Sequence, residues 1–439
     1  MSIWNKYTKG QRDEYIKFLQ AYGALSNMFR QKKGDMIPYL DSKFQETIYS
    51  KAFGSQIVDI GNSPHDVLSI FGDLRVGIGL KTWMNSTPSF QKVMQLKKFQ
   101  TEIRSVFERS GIEEAIIRIS EIKNSRMKSD YNRLGLTDDK NIYHYVTRDE
   151  GQFVVNECSY PLINLNSLSD LKETNNSSAL SWSDGKKEYK FTFADSQIWQ
   201  KFDSSKHDSS ILNKFEIKII EDPFPILLNT YLSALDKPKI EQNTLVEVYL
   251  PLYSYQSKEV EEKSGLNAWN ASSKNKGSSS LRPLNEIYIP IPREFHKKYP
   301  WFFTKNIFQF EENQKTYQGT LENKPEIRFY LHLPNGKRIP SLVTQSNMKA
   351  LQSGSNTERD ENGKKFGQSA LGQWLLIDVL GLNDRKLVTR NWLQSRGTDS
   401  VRLWREKDDY NNIYIDFAPI GSFESFMNNE IDNNDGEIW

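Results

Sequence analysis

Two strand-like runs bring an acidic and a basic side chain to one face of the chain. Gly72-Asp73, a pair typical of tight hairpin turns, separates the two runs, which are Val67–Phe71 and Leu74–Leu80. A two-residue turn places Asp66 opposite Gly79, and Lys81 lies two residues further along the same face. The pattern therefore predicts that a carboxylate and an ammonium group lie a few ångströms apart on rigid strands.

Such a pair suits the hydrolysis of a phosphate ester. Asp66 can hold Mg²⁺, while Lys81 can orient a water molecule and stabilise the charge that develops around phosphorus. The same residues are equally typical of an ordinary hairpin with two charged surface side chains. The hairpin is thus a candidate hydrolytic site, with a purely structural alternative left open.

The flanking segments predict helices that would cover these strands. Arg12–Gln31 is amphipathic, and Ser42–Phe53 carries Glu46 near its start and ends at Gly54. Ser89–Arg118 also has a helical pattern, with a break at Gly111. The order helix, strands, helix predicts an αβα arrangement in which helices cover a mixed sheet.

Farther along, the chain becomes rich in strands. Alternating patterns begin at Tyr143, Ser196–Phe202 has the pattern of a short helix, and an apolar helix is predicted before residue 235. Asp236–Asn243 is the best candidate boundary, because many short strands and a long polar loop, Tyr255–Arg282, follow it. We therefore predict an α+β protein with an αβα domain at residues 1–240 and a β-barrel or sandwich at residues 243–439.

Composition narrows the class of protein. Of 439 residues, 37% are hydrophobic, which is enough for more than one core. Cys158 is the single cysteine, so the chain can form no internal disulfide and no cysteine-based zinc site, and we expect a reducing, cytoplasmic setting. The sequence has no apolar run of membrane-spanning length. The net charge of +2 neither requires nor excludes a nucleic-acid partner, because binding needs only a local excess of positive charge.

The N-terminal pattern resembles the PD-(D/E)XK nucleases found among restriction endonucleases. Two blocks carry the resemblance, Pro64-His65-Asp66 and Gly79-Leu80-Lys81. It implies that Asp66 and the Leu80 carbonyl bind Mg²⁺ and that Lys81 is catalytic. Gly79 departs from the pattern because an acid is expected there, so another carboxylate must complete the metal site. Glu46 on the preceding helix is the first choice and Asp59 the second.

The C-terminal half resembles the DNA-recognition domain of NgoFVII-type restriction endonucleases, a B-three-like pseudobarrel. The resemblance spans most of residues 243–418 and rests on several ordered blocks: Ser264–Asn267, Arg282, Asn285–Pro292, Leu342–Ser353, Ala370–Leu380 and Gly397–Val401. It implies that two arms grip the major groove of double-stranded DNA.

The side chains at the matching positions are of types that read base edges. The first arm would supply Asn267, Trp269, Asn270, Arg282 and Asn285. The second arm would supply Gln345, Asn347, Lys349, Gln352 and Ser353, and Arg390 would contact phosphates. For each of these residues a structural role, such as capping a turn or packing on the barrel rim, stays open.

Taken together, these resemblances imply a Mg²⁺-dependent Type II site-specific deoxyribonuclease of a restriction-modification system in the bacterial cytoplasm. His296-Lys297-Lys298 is the one His-x-Lys sequence, and we interpret it as surface charge because no Asp follows at the spacing of a phospholipase-D-like nuclease. Two alternatives stay open: a non-catalytic DNA-binding regulator, which Gly79 favours, and an endonuclease that depends on modified bases. Pairing of two copies on DNA is also open.

Overall fold

The computed structural model describes most of the chain. The described residues are 2–29, 36–60, 63–85, 89–174, 177–202, 211–235, 245–272, 281–320, 324–355, 357–359, 363, 366–382 and 385–428. The chain divides into two compact units, Met1–Ile240 and Glu241–Trp439. The predicted boundary segment, Asp236–Asn243, lies outside the described residues. Within the described ranges, none of the helices has both the length and the apolar character that crossing a membrane requires.

The first unit contains long helices and two sheets. Its described helices are α1 (Lys9–Ala24), α2 (Ser42–Phe53), α3 (Gln100–Leu134) and α4 (Phe224–Leu235). Its described strands are β1 (Gln56–Ile57), β2 (Val67–Phe71), β3 (Leu74–Met84), β4 (Ser89–Gln95), β5 (Asn141–Asp149), β6 (Gln152–Ser159), β7 (Ser169–Glu173), β8 (Ala179–Ser183), β9 (Glu188–Thr192), β10 (Gln197–Phe202) and β11 (Ile211–Glu216).

The larger sheet contains the predicted hairpin. Its described strands run in the order β1-β2-β3-β5-β6-β11. Phe71 pairs with Leu74 across the turn, as predicted, and Gly72 takes a φ of 61°, which glycine adopts without steric cost. Strand β3 runs parallel to β5, and α3 lies between them in the chain, so the sheet is mixed.

The smaller sheet corrects two helix predictions. Ser89–Gln95, predicted as the start of a helix, is strand β4, and Gln197–Phe202 is strand β10 instead of a short helix. The two strands pair with each other in a described sheet of order β4-β10-β9-β8-β7. Helix α3 therefore begins only at Gln100, although the predicted break at Gly111 is present, with a φ of 86°.

Hydrophobic clusters hold each sheet of the first unit against its helices. On one face of the larger sheet, α1 and α2 pack through residues such as Leu19 and Ile48. The other face packs against the C-terminal part of α3 through Trp83, Met127 and Tyr145. The first half of α3 covers one face of the smaller sheet. Both faces of β3 are thus anchored, which fixes the direction of its side chains.

The second unit is built on one strongly curved sheet. Its described strands are β12 (Leu245–Pro251), β13 (Ile289–Pro290), β14 (Ile327–His332), β15 (Arg338–Thr344), β16 (Ala350–Ser353), β17 (Thr398–Glu406) and β18 (Asn412–Pro419). Its described helices are α5 (Arg293–Lys298), α6 (Ile307–Lys315), α7 (Ala370–Gly372), which continues as a π-helix at Gln373–Val379, α8 (Arg390–Ser395) and α9 (Ser422–Met427).

The strand order in this sheet is β12-β17-β18-β14-β15-β16-β13. The end strands β12 and β13 also contact each other, so the sheet is nearly closed and barrel-like. Strands β14 and β18 form its parallel pair among the described residues. The molecule is therefore a mixed α+β protein with a barrel-like C-terminal sheet, as predicted.

Candidate functional site

Asp66 is held where β2 begins. Its backbone N–H donates to the Ile78 carbonyl at 2.9 Å, and its Oδ2 accepts a hydrogen bond from the Leu80 N–H at 2.6 Å. Because Val67 pairs with Ile78, Asp66 lies opposite Gly79, and Lys81 follows on the same face. The structure therefore brings Asp66 and Lys81 together in the geometry that the hairpin predicts.

Several nearby charges act on the Asp66 carboxyl. Burial raises its pKa to about 6, against the ordinary value of 3.8. The Lys81 ammonium and the hydrogen bond from Leu80 act in the opposite direction, whereas the Glu46 and Asp59 carboxylates raise the pKa further. Three acids and a lysine thus share one electrostatic neighbourhood. A positive ion at this place would relieve the repulsion and favour the ionised form of Asp66.

Lys43 joins the two acids proposed to complete the site. Its Nζ lies 2.7 Å from Glu46 Oε2 and 3.7 Å from Asp59 Oδ2. The side chains of Glu46 and Asp59 are 12% and 21% exposed, whereas Lys43 is 71% exposed. A solvated lysine can move away from two partly buried carboxylates at little cost. The sequence analysis had not identified Lys43.

The absence of an acid at Gly79 has a packing cause. A Cβ on Gly79 would lie 2.8 Å from the Tyr143 ring, and the Tyr160 ring would also be close. The two rings stack at a centroid separation of 3.8 Å in the core beneath the site. A carboxylate side chain therefore has no room at this position, and any second acid must come from outside β3.

A buried charge network anchors the loop that carries Asp59 and Asp66. His65 is fully buried, and its Nδ1 lies 2.7 Å from Asp130 Oδ2. Arg133 donates to Asp130 Oδ1 at 2.6 Å and to the Val58 carbonyl at 2.8 Å. Burial alone would raise the Asp130 pKa, but Arg133 and His65 outweigh it and the pKa lies below its usual value.

Sequence reasoning missed this network, although a signal was present. Asp130 and Arg133 lie on the apolar face of α3, beside Met127 and Leu134. Buried charges on such a face are normally paired, so they indicate a third partner elsewhere in the fold. Here that partner is His65, the residue next to Asp66.

The site offers few protein oxygen ligands, which suits Mg²⁺ better than an ion that protein groups enclose completely. Within the described ranges, no three His, Cys, Asp or Glu side chains form a metal-binding group. Mg²⁺ commonly takes one or two carboxylates and completes its shell with water and substrate phosphates. Asp66 supplies one carboxylate. The Leu80 carbonyl lies on the same strand edge as the N–H that reaches Asp66, because both groups of a strand residue point the same way.

In the second unit, the structure gives several predicted base readers a structural role. Asn267 is fully buried, donates to the carbonyls of Glu261 and Val388, and accepts from the Val388 N–H. Trp269 is also fully buried, and its carbonyl accepts from Arg385. Neither side chain can reach a base without unfolding its loop, so their predicted role in base reading is corrected to a structural one.

Asn285 and Ser353 are also buried. Asn285 is 6% exposed and donates to Gln373 Oε1 at 2.7 Å. Ser353 is fully buried, and its hydroxyl accepts from the Leu371 N–H. Their prediction as base readers is likewise corrected, because the Asn285 Nδ2 and the Ser353 hydroxyl already hold α7 and the π-helical segment that continues it.

The two predicted arginines are engaged in ion pairs. Arg390 lies 3.1 Å from Asp399 and 2.8 Å from Glu424, and it stacks on the Tyr253 ring. These contacts tie α8 to β17 and α9, and the predicted phosphate contact of Arg390 stays a prediction. Arg282 is held less tightly. Its Nη1 lies 3.3 Å from Glu286 Oε1, and its side chain remains 26% exposed.

The remaining predicted readers stay accessible. Asn347 and Lys349 are exposed, and Asn270, Gln345 and Gln352 are half-buried. Gln345 and Asn347 take φ values of 67° and 61°, which non-glycine residues adopt where the surroundings enforce them. Asn347 and Lys349 also line a cleft of about 420 Å³, together with Tyr253, Tyr255, Tyr288 and Arg293.

His296 helps to enforce the turn that presents Asn347. It is fully buried, and its Nε2 lies 2.8 Å from the Met348 carbonyl. The interpretation of His296-Lys297-Lys298 as surface charge is therefore wrong for His296, while Lys297 and Lys298 are exposed.

Comparison with known families decides the nature of this unit. Residues 240–407 match the family model of the NgoFVII C-terminal B3-like DNA-binding domain. This part of the chain is similar to a DNA-binding domain of the restriction-enzyme type. No curated protein matches the chain in sequence. The match covers the cleft, both predicted arms and most of the barrel-like sheet, and it supports sequence-specific DNA binding.

Proposed function

We propose that the chain is a site-specific, Mg²⁺-dependent Type II endonuclease that hydrolyses phosphodiester bonds in double-stranded DNA. The observation that carries this proposal is the placement of Asp66, at the start of β2, and Lys81, on β3, on one face of the hairpin, with Glu46 and Asp59 close enough to shift the Asp66 pKa. The similarity of the second unit to a restriction-enzyme DNA-binding domain supports DNA as the substrate and a restriction-modification system as the setting.

In this mechanism, Asp66 and the Leu80 carbonyl would hold the metal ion, and the Leu80 N–H fixes the orientation of the Asp66 carboxylate. Bound Mg²⁺ supplies positive charge that polarises the scissile phosphate and lowers the pKa of a water molecule. Lys81 orients the attacking water and stabilises charge on the phosphate oxygens. Its place on a strand that is packed on both faces keeps it aligned with Asp66.

Glu46 is the better choice for the second acid. It projects from a regular helix that is capped by Asp41 and packed on the sheet, and it is the less exposed of the two carboxylates. Whichever acid completes the site must lose its ion pair with Lys43 in order to bind the metal ion. Asp59 is held in its own loop, where its Oδ1 accepts from the Ser63 N–H at 3.1 Å.

The second unit reads the sequence through its accessible groups. Lys349 can pair with guanine, while Gln345, Asn347 and Gln352 can pair with adenine. Each chain offers one candidate hydrolytic site among its described residues. Cutting both strands of a duplex therefore needs two copies of the chain or two successive binding events.

A second candidate function is a regulator that binds a DNA sequence without cutting it. Gly79 favours this reading, because the stacked tyrosines exclude an acid at that position and no metal-binding group of three side chains forms among the described residues. In that case Asp66 and Lys81 would be a structural ion pair.

A supercoiled-plasmid assay separates the two functions. We expect the wild type to convert the plasmid to linear or nicked DNA in Mg²⁺ and to leave it intact in EDTA. Lys81→Ala should bind the same plasmid without cutting it. Binding by the wild type without cleavage in Mg²⁺, on DNA that carries the bound sequence both with and without base methylation, would favour the regulator.

A further inference from the structure

The smaller sheet of the first unit has one face that the candidate site does not use. Leu180, Tyr189, Phe191 and Ile198 point to the opposite face, where they pack with α3. Because side chains alternate along a strand, the residues between them point outward. The face that α3 does not cover therefore carries a separate set of side chains.

One line of outward residues crosses the whole sheet. The strand register pairs Lys172 with Ser181, Ser181 with Lys190, Lys190 with Trp199, and Trp199 with Lys92. We call these five residues the lysine row. Each of the described strands β7, β8, β9, β10 and β4 contributes one member.

The spacing of the row is set by the sheet. Neighbouring strands lie about 4.8 Å apart, so the lysines on alternate strands have Cα atoms roughly 10 Å apart. Flexible lysine side chains can close or widen that spacing by several ångströms. A row of three such cations can follow phosphates along a DNA backbone.

The charges of the row are available to a ligand. Lys92 and Lys172 are exposed and Lys190 is half-buried, and none of the three forms an ion pair with a described residue. In the adjacent line of the same face, by contrast, Lys201 is paired with Glu188 at 2.5 Å. Lysines without acidic partners in one line give this face a local positive excess.

Trp199 lies between two of the lysines in the row. It is half-buried, and its indole N–H donates to Thr192 Oγ1 at 3.2 Å, which fixes the orientation of the ring. The strand register places Trp199 between Lys190 and Lys92. The sheet therefore fixes the backbone positions of the row, while the lysine side chains keep their flexibility.

The sheet is joined directly to the candidate hydrolytic site. Phe202, at the end of β10, lies 5.3 Å from the ring of Trp83 and 5.5 Å from that of Tyr145. Tyr145 pairs with Lys81 across β3 and β5. A rigid aromatic contact thus connects the strand that carries Trp199 to the strand that carries Lys81.

We propose that the lysine row binds the phosphate backbone of duplex DNA outside the recognised sequence. The inference rests on the proposed function only in taking DNA as the partner. Charge complementarity selects a polyanion, and the row offers no amide groups suited to base edges, so its binding is independent of sequence. The row would hold the duplex beside Lys81 while the second unit reads bases.

The test uses the full-length chain in EDTA, where cleavage cannot interfere. The triple variant Lys92→Gln, Lys172→Gln, Lys190→Gln is compared with a matched control, Lys9→Gln, Lys17→Gln, Lys218→Gln, which removes three exposed lysines elsewhere on the first unit. Affinity for a random-sequence duplex is measured between 50 and 250 mM salt. Circular dichroism and thermal unfolding verify that each variant is folded.

We expect the row variant to bind roughly 10- to 100-fold more weakly and to lose about two to three units of salt slope, since each phosphate contact contributes about 0.9. The control should lose less than about one unit. An unchanged slope in the row variant, or an equal loss in the control, overturns the proposal.

Cleavage by the wild type in Mg²⁺ is the second measurement, and it distinguishes failure of the lysine-row proposal from failure of the proposed nuclease function. If the wild type does not cut DNA in Mg²⁺ but the row variant still loses salt slope, the nuclease assignment fails and the row stands. If cleavage is present and the slope is unchanged, the row fails and the nuclease stands. A variant with Trp199→Leu should lose less affinity than the triple variant. If Trp199→Leu instead loses as much affinity as the triple variant, and only for single-stranded DNA, this face binds DNA through base stacking and not through the phosphate backbone.

Discussion

The candidate hydrolytic site and the predicted DNA-reading arms place their polar residues in opposite ways. Asp66 and Lys81 lie on paired strands, so the strand register alone decides that they meet. Most of the predicted readers lie in loops and short 3-10 turns, which direct several of them inward, including Asn267 and Asn285. Strands fix the direction of a side chain through their alternation, whereas a loop can direct a polar group to solvent or to its own backbone.

This contrast also predicts which substitutions should affect function and which should affect stability. In the first unit, removing an accessible charged group should abolish chemistry and leave the fold intact. In the second unit, removing a buried amide should damage the fold, and only the exposed residues should alter recognition. The following predictions test the two halves of that contrast, beginning with the largest effect.

The first prediction concerns Lys81. Lys81→Ala should lower the single-turnover cleavage rate in Mg²⁺ by about 100- to 1,000-fold, the usual cost of removing one group that stabilises transition-state charge. Affinity for the cleavage site should change little because recognition lies in the second unit. Lys51→Ala, at an exposed position on α2, is the control and should cut normally. A near-normal rate for Lys81→Ala would remove this residue from the site.

The second prediction concerns which acid completes the metal site. Glu46→Gln should reduce Mg²⁺-dependent cleavage about as strongly as Asp66→Asn, since each removes one negatively charged ligand. The Mg²⁺ concentration needed for half-maximal rate should rise in both variants. If Asp59→Asn is inactive while Glu46→Gln behaves normally, the ligand role passes to Asp59.

The third prediction compares two asparagines of the second unit. Asn267→Ala should lower the free energy of unfolding by about 1–3 kcal/mol, because it leaves buried backbone groups of Glu261 and Val388 without partners. Asn347→Gly removes the amide, and because glycine accepts the φ of 61° at this position, it should leave stability nearly unchanged and reduce discrimination at one base pair. Urea unfolding and competition titration against single-base variants measure the two effects. Equal stability of both variants would contradict the structural role of Asn267.

The fourth and smallest prediction concerns pH. The raised pKa of Asp66, about 6 against 3.8, means that the folded protein binds this proton more tightly than the unfolded chain does. Its contribution to stability is full below pH 3.8 and is lost as the pH rises through about 6. In EDTA, Asp66→Asn should therefore be more stable than the wild type at pH 8, by on the order of 1–2 kcal/mol, and no more stable at pH 4.

The raised pKa of Asp66 also affects metal binding, and this effect has the opposite pH dependence to the effect on stability. Mg²⁺ needs the ionised carboxylate, so the affinity of the wild type for Mg²⁺ should fall as the pH drops below about 6. Unfolding curves at several pH values, with and without Mg²⁺, check both statements. A stability difference between Asp66→Asn and wild type that does not vary with pH would show that the Asp66 pKa is not raised.

The hairpin shows how far the sequence could go. Its turn pair and two short apolar runs specified the pairing of Phe71 with Leu74, and the period of two then placed Asp66 and Lys81 on one face. Helix α2 was equally clear because an apolar stripe ends at a glycine in the left-handed conformation, Gly54. Local signals were sufficient wherever neighbours in the chain are also neighbours in space.

The smaller sheet shows where such signals run out. Strands β4 and β10 pair with each other although a long helix and several strands separate them in the chain. Their apolar spacing fits a helix and a strand alike, and the partner strand decides between them. Residue type was also insufficient in the loops, because the amide of Asn267 suits an adenine edge and a buried backbone equally well.

The proposed function requires cleavage at a defined sequence. The most direct test is to digest DNA of known sequence with the full-length protein in Mg²⁺ and to sequence the fragment ends. We predict ends that share one short sequence at a fixed distance, and no fragments in EDTA or with Lys81→Ala. Ends scattered without a common sequence would contradict recognition by the second unit. Intact DNA under all conditions, methylated substrates included, would contradict the hydrolytic site at Asp66 and Lys81.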